Sequence, residues 1–183
     1  VFYQKYLSNY KVSVPSDIFS IHPSHPFIDI DELWLEELGA NITNKQYVSN
    51  KLPLIIQRNT DKSVQNLGIV FWAEVKTLLE FDEKNINQIS SFQEAVDFYL
   101  NHFSKVDGAI RKLYAEFIDK PNIIEPIQSY YQNLSALFLD KWFKYVDDYK
   151  SNQTGVIQNI IDSNPDKTAI VVGDGVSWEF AQD

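Results

Sequence analysis

Between Ile127 and Tyr149 the apolar positions Ile127, Tyr130, Tyr131, Leu134, Leu137, Phe138, Trp142, Tyr145, Val146 and Tyr149 return every three or four residues. At about 3.6 residues per turn, that spacing gathers them on one broad face of a helix roughly six turns long. Such a helix needs other elements to cover its face, which makes it the expected spine of a helical domain. Glu125-Pro126 is expected to open it, since proline is tolerated in a first turn where its missing N–H is not required. The rings of the stripe could also stack on nucleic-acid bases, but at helical spacing core is the stronger reading.

Upstream segments supply partners for that face. Residues 1–31 mix apolar residues with Pro15, Pro23 and Pro26 and read as irregular structure with one short strand. Asp31, followed by Glu32, Trp34 and Leu38 and then Gly39, has the start and stop signals of a short helix. Leu52-Pro53-Leu54-Ile55-Ile56 reads as a short strand. Over residues 63–81 the spacing of Leu67, Val70, Phe71, Val75, Leu78 and Leu79 predicts one helix with a buried stripe. Ser91 and Glu94 stand as a capping box ahead of Val96, Tyr99, Leu100 and Phe103. Helical period continues over residues 107–118 through Ile110, Leu113, Tyr114 and Phe117, with Asp107 and Arg111 four apart as an acid-to-base pair.

Composition narrows the setting. With 44% hydrophobic and 14% aromatic residues in 183, the chain has material for a real core. It opens on Val1 and contains no Met, and so reads as a piece of a longer protein. Cysteine is absent, which removes disulfides and thiolate zinc sites and suits a cytoplasmic location. No apolar run approaches the roughly 18 residues of a membrane span, so no membrane partner is expected. A net charge of −9, from 25 acidic and 16 basic residues, opposes the counterion release that drives nucleic-acid binding, so none is expected for this segment.

The composition changes near residue 168. Thr168-Ala169-Ile170-Val171-Val172 is β-branched without polar alternation, the pattern of a strand covered on both faces of a parallel sheet. Gly173-Asp174-Gly175-Val176-Ser177 follows, and then Trp178-Glu179-Phe180-Ala181 as a new helix. Ligands of open α/β sheets gather at the carboxyl ends of strands, and an aspartate held there between glycines can give a hard oxygen to a divalent cation. Gly-Asp-Gly also makes ordinary turns; the apolar strand ahead of it is what makes Asp174 a candidate metal ligand. A dinucleotide fingerprint would need glycine at Trp178, and the lysine of a phosphate-binding loop is missing.

The segment Ala169-Ile170-Val171-Val172-Gly173-Asp174-Gly175-Val176-Ser177-Trp178-Glu179-Phe180-Ala181 resembles the opening strand and metal loop of the PglZ family. PglZ proteins are phosphatase-like components of the BREX phage-defence systems and belong to the alkaline phosphatase superfamily. Phe103-Ser104-Lys105-Val106-Asp107-Gly108-Ala109-Ile110-Arg111-Lys112-Leu113-Tyr114 resembles the segment ahead of the family's catalytic domain, and residues 130–142 resemble its next helix. The resemblance spans residues 92–183, about half the chain, and residues 1–62 have no counterpart in it. Many members carry arginine and tyrosine where this chain has Ser177 and Trp178, so the resemblance assigns a role to Asp174 alone.

The expected fold is mainly α, a helical N-terminal region leading into the first strand of an α/β alkaline-phosphatase-like sheet. Its expected divisions are residues 1–62, irregular with a short helix; 63–165, a helical domain; and 166–183, the start of the α/β domain. The resemblance implies a metal-dependent phosphatase or phosphodiesterase of phage defence, in which Asp174 binds one of a pair of divalent ions, commonly zinc. The substrate would be a phosphate ester, the partners other defence-system proteins, and the remaining ligands and the nucleophile would lie beyond residue 183. No catalytic residue is expected in this segment, which alone would be inactive. Ser177, without a base beside it, reads as a helix cap. His22, His25 and His102 are spread over the chain and read as solvent-facing or locally bonded, and Arg111 as half of a surface ion pair. The competing reading is a non-enzymatic helical scaffold, with residues 63–150 presenting a surface to another component of a defence complex.

Overall fold

The structure is a computed structural model and describes residues 13–150 and 153–163. Every regular element among them is helical, in agreement with the mainly α expectation. Two compact units divide the chain: residues 1–83 with 105–136, and residues 84–104 with 137–183.

The first unit begins with a 3-10 turn, Ile18–Ser20, capped by Asp17, whose carboxylate accepts from the Phe19 N–H at 3.1 Å. The proline loop then leads into α1, Ile28–Ala40, which starts ahead of the expected cap. Asp31 is therefore a residue of the helix rather than its N-cap. Phe27 holds the N-cap position without a side-chain bond. Ile30, Trp34, Leu35 and Leu38, at spacings of one, three and four, are the buried face of α1. Gly39 does not stop this helix. Its role is close approach: a Cβ there would stand 3.2 Å from the Pro126 Cβ.

α2, Lys45–Thr60, replaces the strand expected at residues 52–56. Asn44 caps it by accepting from the Tyr47 N–H at 3.1 Å, and Val48, Ile55 and Arg58 are its buried residues. Pro53 lies inside the helix, where it removes one backbone bond. A local β-like composition was outweighed by a cap and by a face that the rest of the unit buries.

The single helix expected over residues 63–81 is two. α3, Lys62–Asn66, ends in a turn with Gly68 at φ +82°, and α4 runs Trp72–Glu80. The Ile69 N–H reaches the Val64 carbonyl at 3.4 Å and the Gly68 N–H reaches Gln65 at 2.9 Å, the two bonds of a Schellman motif. Val70, counted in the stripe, is consequently exposed, whereas Trp72, Val75 and Leu78 are buried. Left-handed backbone is costly for an L residue, so Gly68→Ala is expected to lower stability by about 1–2 kcal/mol. A urea midpoint shifted down with an unchanged slope would show it.

α7, Ser104–Glu116, and the first turns of α8, Pro121–Tyr145, complete this unit. α8 starts at Pro121 rather than at Glu125-Pro126, with Pro121 itself at the first helical position. Ile127, Tyr130 and Leu134 are buried along it, as the stripe predicts, and Ile123 ahead of them is buried too.

The second unit holds α5, Lys84–Asn87, and α6, Phe92–Phe98, which passes through a π turn, Tyr99–Phe103. Ser91 caps α6 as expected, accepting from the Glu94 N–H at 3.2 Å. Glu94 closes the box one residue early, taking the N–H and hydroxyl of Ser90, both at 2.8 Å. In the π turn the Ser104 N–H reaches back to Tyr99, and the Leu100 carbonyl accepts the Ser104 hydroxyl at 3.1 Å instead. The last turns of α8 place Phe138 against three rings of this run: Phe103 at 4.9 Å, Tyr99 at 6.0 Å and Phe98 at 6.1 Å between centroids. A 3-10 turn, Val146–Asp148, and α9, Gln153–Ser163, follow.

Candidate functional site

Asp174, with its flanking Gly173 and Gly175 and with Ser177, lies outside the described residues. What the structure shows of the chemistry-bearing side chains is therefore in the helical units. Among the described residues no group of three or more histidine, aspartate and glutamate side chains could hold a metal ion.

The best-organised polar centre is built on α1 and α2. Arg58 grips Asp31 in a two-pronged pair, Nε to Oδ1 at 2.8 Å and Nη2 to Oδ2 at 2.6 Å, and both side chains are fully buried. Nη1 of Arg58 donates to the carbonyls of Pro23, at 2.6 Å, and His25, at 2.5 Å, which pins the proline loop to the helix pair. The indole N–H of Trp72, on α4, adds a third bond to Asp31 at 2.9 Å. Burial pushes the Asp31 carboxyl above its ordinary range, while the bonds from Arg58 and Trp72 pull it back. The planar five-donor guanidinium suits this enclosure, where a lysine would leave acceptors unmet.

Trp34 joins the same centre. Its ring meets Trp72 at 6.0 Å and Phe19 at 4.8 Å, and its N–H donates to the Ile18 carbonyl at 2.9 Å. With the polar side-chain atoms of Arg58, Asp31, Trp34 and Trp72 all hydrogen-bonded and aromatic rings packed around them, this centre holds the unit together and offers no reacting group to a substrate.

The three histidines are not brought together. His22 is exposed, and its Nδ1 accepts from the Ser24 N–H at 3.2 Å. His25 is buried, so the solvent-facing reading fails for it; it is locally bonded, with Nδ1 accepting from the Phe27 N–H at 3.3 Å. Its Nε2 is buried without a partner. Burial, and then the Arg58 charge, lower its pKa from 6.5 to about 3. The folded state keeps His25 neutral where the unfolded chain is protonated, so its contribution is complete above pH 6.5 and is lost as pH falls toward 3. The expected slope in that window is about 1.4 kcal/mol per pH unit. Asp31, shifted upward, acts in the opposite sense in acid, so the His25 share is read as the difference between the native chain and His25→Asn in urea melts from pH 3 to 7. Parallel curves for the two proteins would remove the assignment.

His102 lies in the second unit, exposed on the π turn, with its ring 5.4 Å from Phe98. Together with Asn85, Gln88, Ile89 and Glu94 these two residues line an open cleft of about 490 Å³. Glu94 is occupied by its bonds to Ser90, and the Phe98 ring meets both His102, at 5.4 Å, and Phe138, at 6.1 Å between centroids. Asp107 is buried rather than at the surface and accepts the Tyr131 hydroxyl at 2.7 Å, a helix-to-helix bond that burial and Asp107 accompany with an upward shift of the Tyr131 pKa.

Known proteins add nothing to this picture. No family model, no curated protein and no solved structure matches the chain. None of the described helices is long and apolar enough to cross a membrane.

Sequence reasoning missed the Arg58–Asp31–Trp72 centre, because a helix-start acid and a strand-end arginine carry no mark of pairing across 27 positions. The one available signal was an arginine at helical spacing from Val48 and Ile55, on a face otherwise apolar.

Proposed function

We infer that this chain belongs to a PglZ-type metal-dependent phosphatase or phosphodiesterase of phage defence, of which it supplies the helical region, the first sheet strand and one metal ligand. The observation that carries this reading is the apolar run Thr168-Ala169-Ile170-Val171-Val172 delivering Asp174 between two glycines directly after an extended helical region. The exclusively helical character of the described residues supports a helical region ahead of residue 168, where the composition turns β-branched.

In this reading Asp174 gives a carboxylate oxygen to one of two divalent ions, commonly zinc. Paired ions stabilise the attacking and leaving oxygens of an in-line displacement at phosphorus. The nucleophile and the other ligands belong to later sequence, and the helical units position the catalytic domain without touching the substrate. The absence of cysteine from these 183 residues suits a cytoplasmic setting.

The test is made in the full-length protein with an aryl phosphate and an aryl phosphodiester. Asp174→Ala is expected to lose hydrolysis and one bound metal ion while keeping the helical circular dichroism. Full activity in that variant overturns the reading.

A second reading, a helical scaffold without catalysis, is favoured by one feature: Leu139 and Phe143 stand exposed on the last turns of α8, at 45% and 67%. It predicts a partner from the same defence complex that binds the helical segment with or without metal, and binding abolished by Phe143→Asp would support it.

A further inference from the structure

The proline loop at residues 21–27, which carries His25, runs between two anchored ends. Upstream, the Trp34 N–H holds the Ile18 carbonyl at 2.9 Å. Downstream, the Phe27 carbonyl accepts from the N–H groups of Ile30 and Asp31, at 3.2 and 3.4 Å, in the first turn of α1. Between these ends the loop is fastened to the helix pair by Nη1 of Arg58, which donates to the carbonyls of Pro23 and His25. Arg58 keeps its other two nitrogens, Nε and Nη2, on Asp31. One guanidinium thus makes two separable attachments, and its ion pair does not depend on the loop.

We propose that residues 21–27 are an acid-released latch: neutral His25 keeps the loop seated on the α1–α2 pair, and protonation of His25 frees the loop while α1 and α2 stay folded. The titration described above then acts on one segment and not on the whole unit.

The chemistry of the ring requires a release of some kind. Nδ1 of the neutral imidazole accepts the Phe27 N–H, so the ring proton is on Nε2. A second proton can go only to Nδ1, where it displaces the Phe27 N–H. The ring then becomes a cation that is 7% exposed and stands beside the Arg58 guanidinium. The other charged groups around it give no relief. Asp31, on α1, has both oxygens committed, Oδ1 to Arg58 and Trp72 and Oδ2 to Arg58. Asp61, at the N-cap of α3, is bonded to Ser24 and to the Ser63 N–H. His22, in the loop itself, adds a second positive charge when it is protonated. Swinging the loop out returns the imidazolium to water and leaves Arg58 on Asp31. Burial shifts the Asp31 carboxyl upward, so its titration opposes release in acid and does not cause it.

Amide hydrogen exchange in the 183-residue chain, followed by NMR from pH 7 to 4 and corrected for the intrinsic pH dependence of exchange, tests the latch. The opening equilibrium read at the His25 and Phe27 amides is expected to rise about tenfold per pH unit below 6.5, roughly 100-fold by pH 4.5. The Trp34 and Leu35 amides of α1 should stay far better protected at every pH. In His25→Asn a side-chain oxygen can accept the Phe27 N–H in an Asx turn but does not titrate, so the loop profile should be flat. His22→Asn changes the exposed histidine that makes the same local bond to Ser24, and should keep the steep profile. A flat profile there assigns the titration to His22 and overturns the proposal. Loop and α1 amides with one common protection overturn it too, because the loop then opens only with the whole unit. So does a His25→Asn profile as steep as the native one, or a Phe27 amide without protection at pH 7. The comparison of loop with α1 is internal to the native chain and does not depend on how well either variant folds.

Discussion

Asp31→Ala is expected to cost about 3–5 kcal/mol of unfolding free energy, because it leaves the Arg58 guanidinium as an unpaired charge in a fully buried site. Both side chains are fully buried, and the deletion also leaves the Trp72 indole N–H without an acceptor. Set against a usual total of about 5–15 kcal/mol, such a loss brings the first unit near its unfolding threshold. Asp31→Asn should cost less than alanine, since an amide oxygen can still accept one of the bonds from Arg58 or Trp72. Arg58→Met should not be the neutral exchange that a buried pair sometimes allows. Methionine fills the space, but the carbonyls of Pro23 and His25 lose their donor along with Asp31. Urea melts of the two single variants and the double variant give the coupling directly, and the double variant is expected to be less destabilised than the sum of the singles. An additive result would mean that the pair does not act as a unit.

Phe138→Ala should have a comparable effect in the second unit, about 3–5 kcal/mol. Its ring is 5% exposed, is stacked at 16° on Phe103, and also meets Trp142 at 6.0 Å. Removing it leaves a cavity between α8 and the π turn that rigid rings cannot easily collapse to fill, so the cavity penalty adds to the lost transfer energy. Phe138→Leu, which keeps most of the volume, should recover a large part of the loss. Loss of near-ultraviolet circular dichroism from the ring cluster, with the far-ultraviolet helical signal less affected, is the expected signature. Alanine within 1 kcal/mol of the native chain would refute the packing argument.

The helical region was legible where a strong period met good punctuation. Of the stripe from Ile127 to Tyr149, Ile127, Tyr130, Leu134 and Phe138 are buried at helical spacing while Leu137, Val146 and Tyr149 are exposed, and Ser91 caps α6 because a short hydroxyl before a helical run satisfies a backbone N–H wherever it occurs. Legibility failed at residues 52–56, where β-branched side chains and a proline imitate a strand but lie in a capped helix. It failed again near Gly68, because periodicity counts apolar residues and does not see that one glycine has turned the chain. The candidate metal ligand Asp174 rests on sequence pattern, since it lies outside the described residues.

What the sequence by itself determined is local: the helical periodicity of the long helix and the cap at Ser91. These depend on interactions among residues a few positions apart, whose geometry the covalent chain already dictates. Only the tertiary structure decided that Asp31 pairs with Arg58 rather than capping a helix, that His25 is held neutral beside them, and that Gly39 is there to admit Pro126. Each of those outcomes depends on which distant group arrives and on the exclusion of water when it does, and neither is written in the spacing of neighbouring residues.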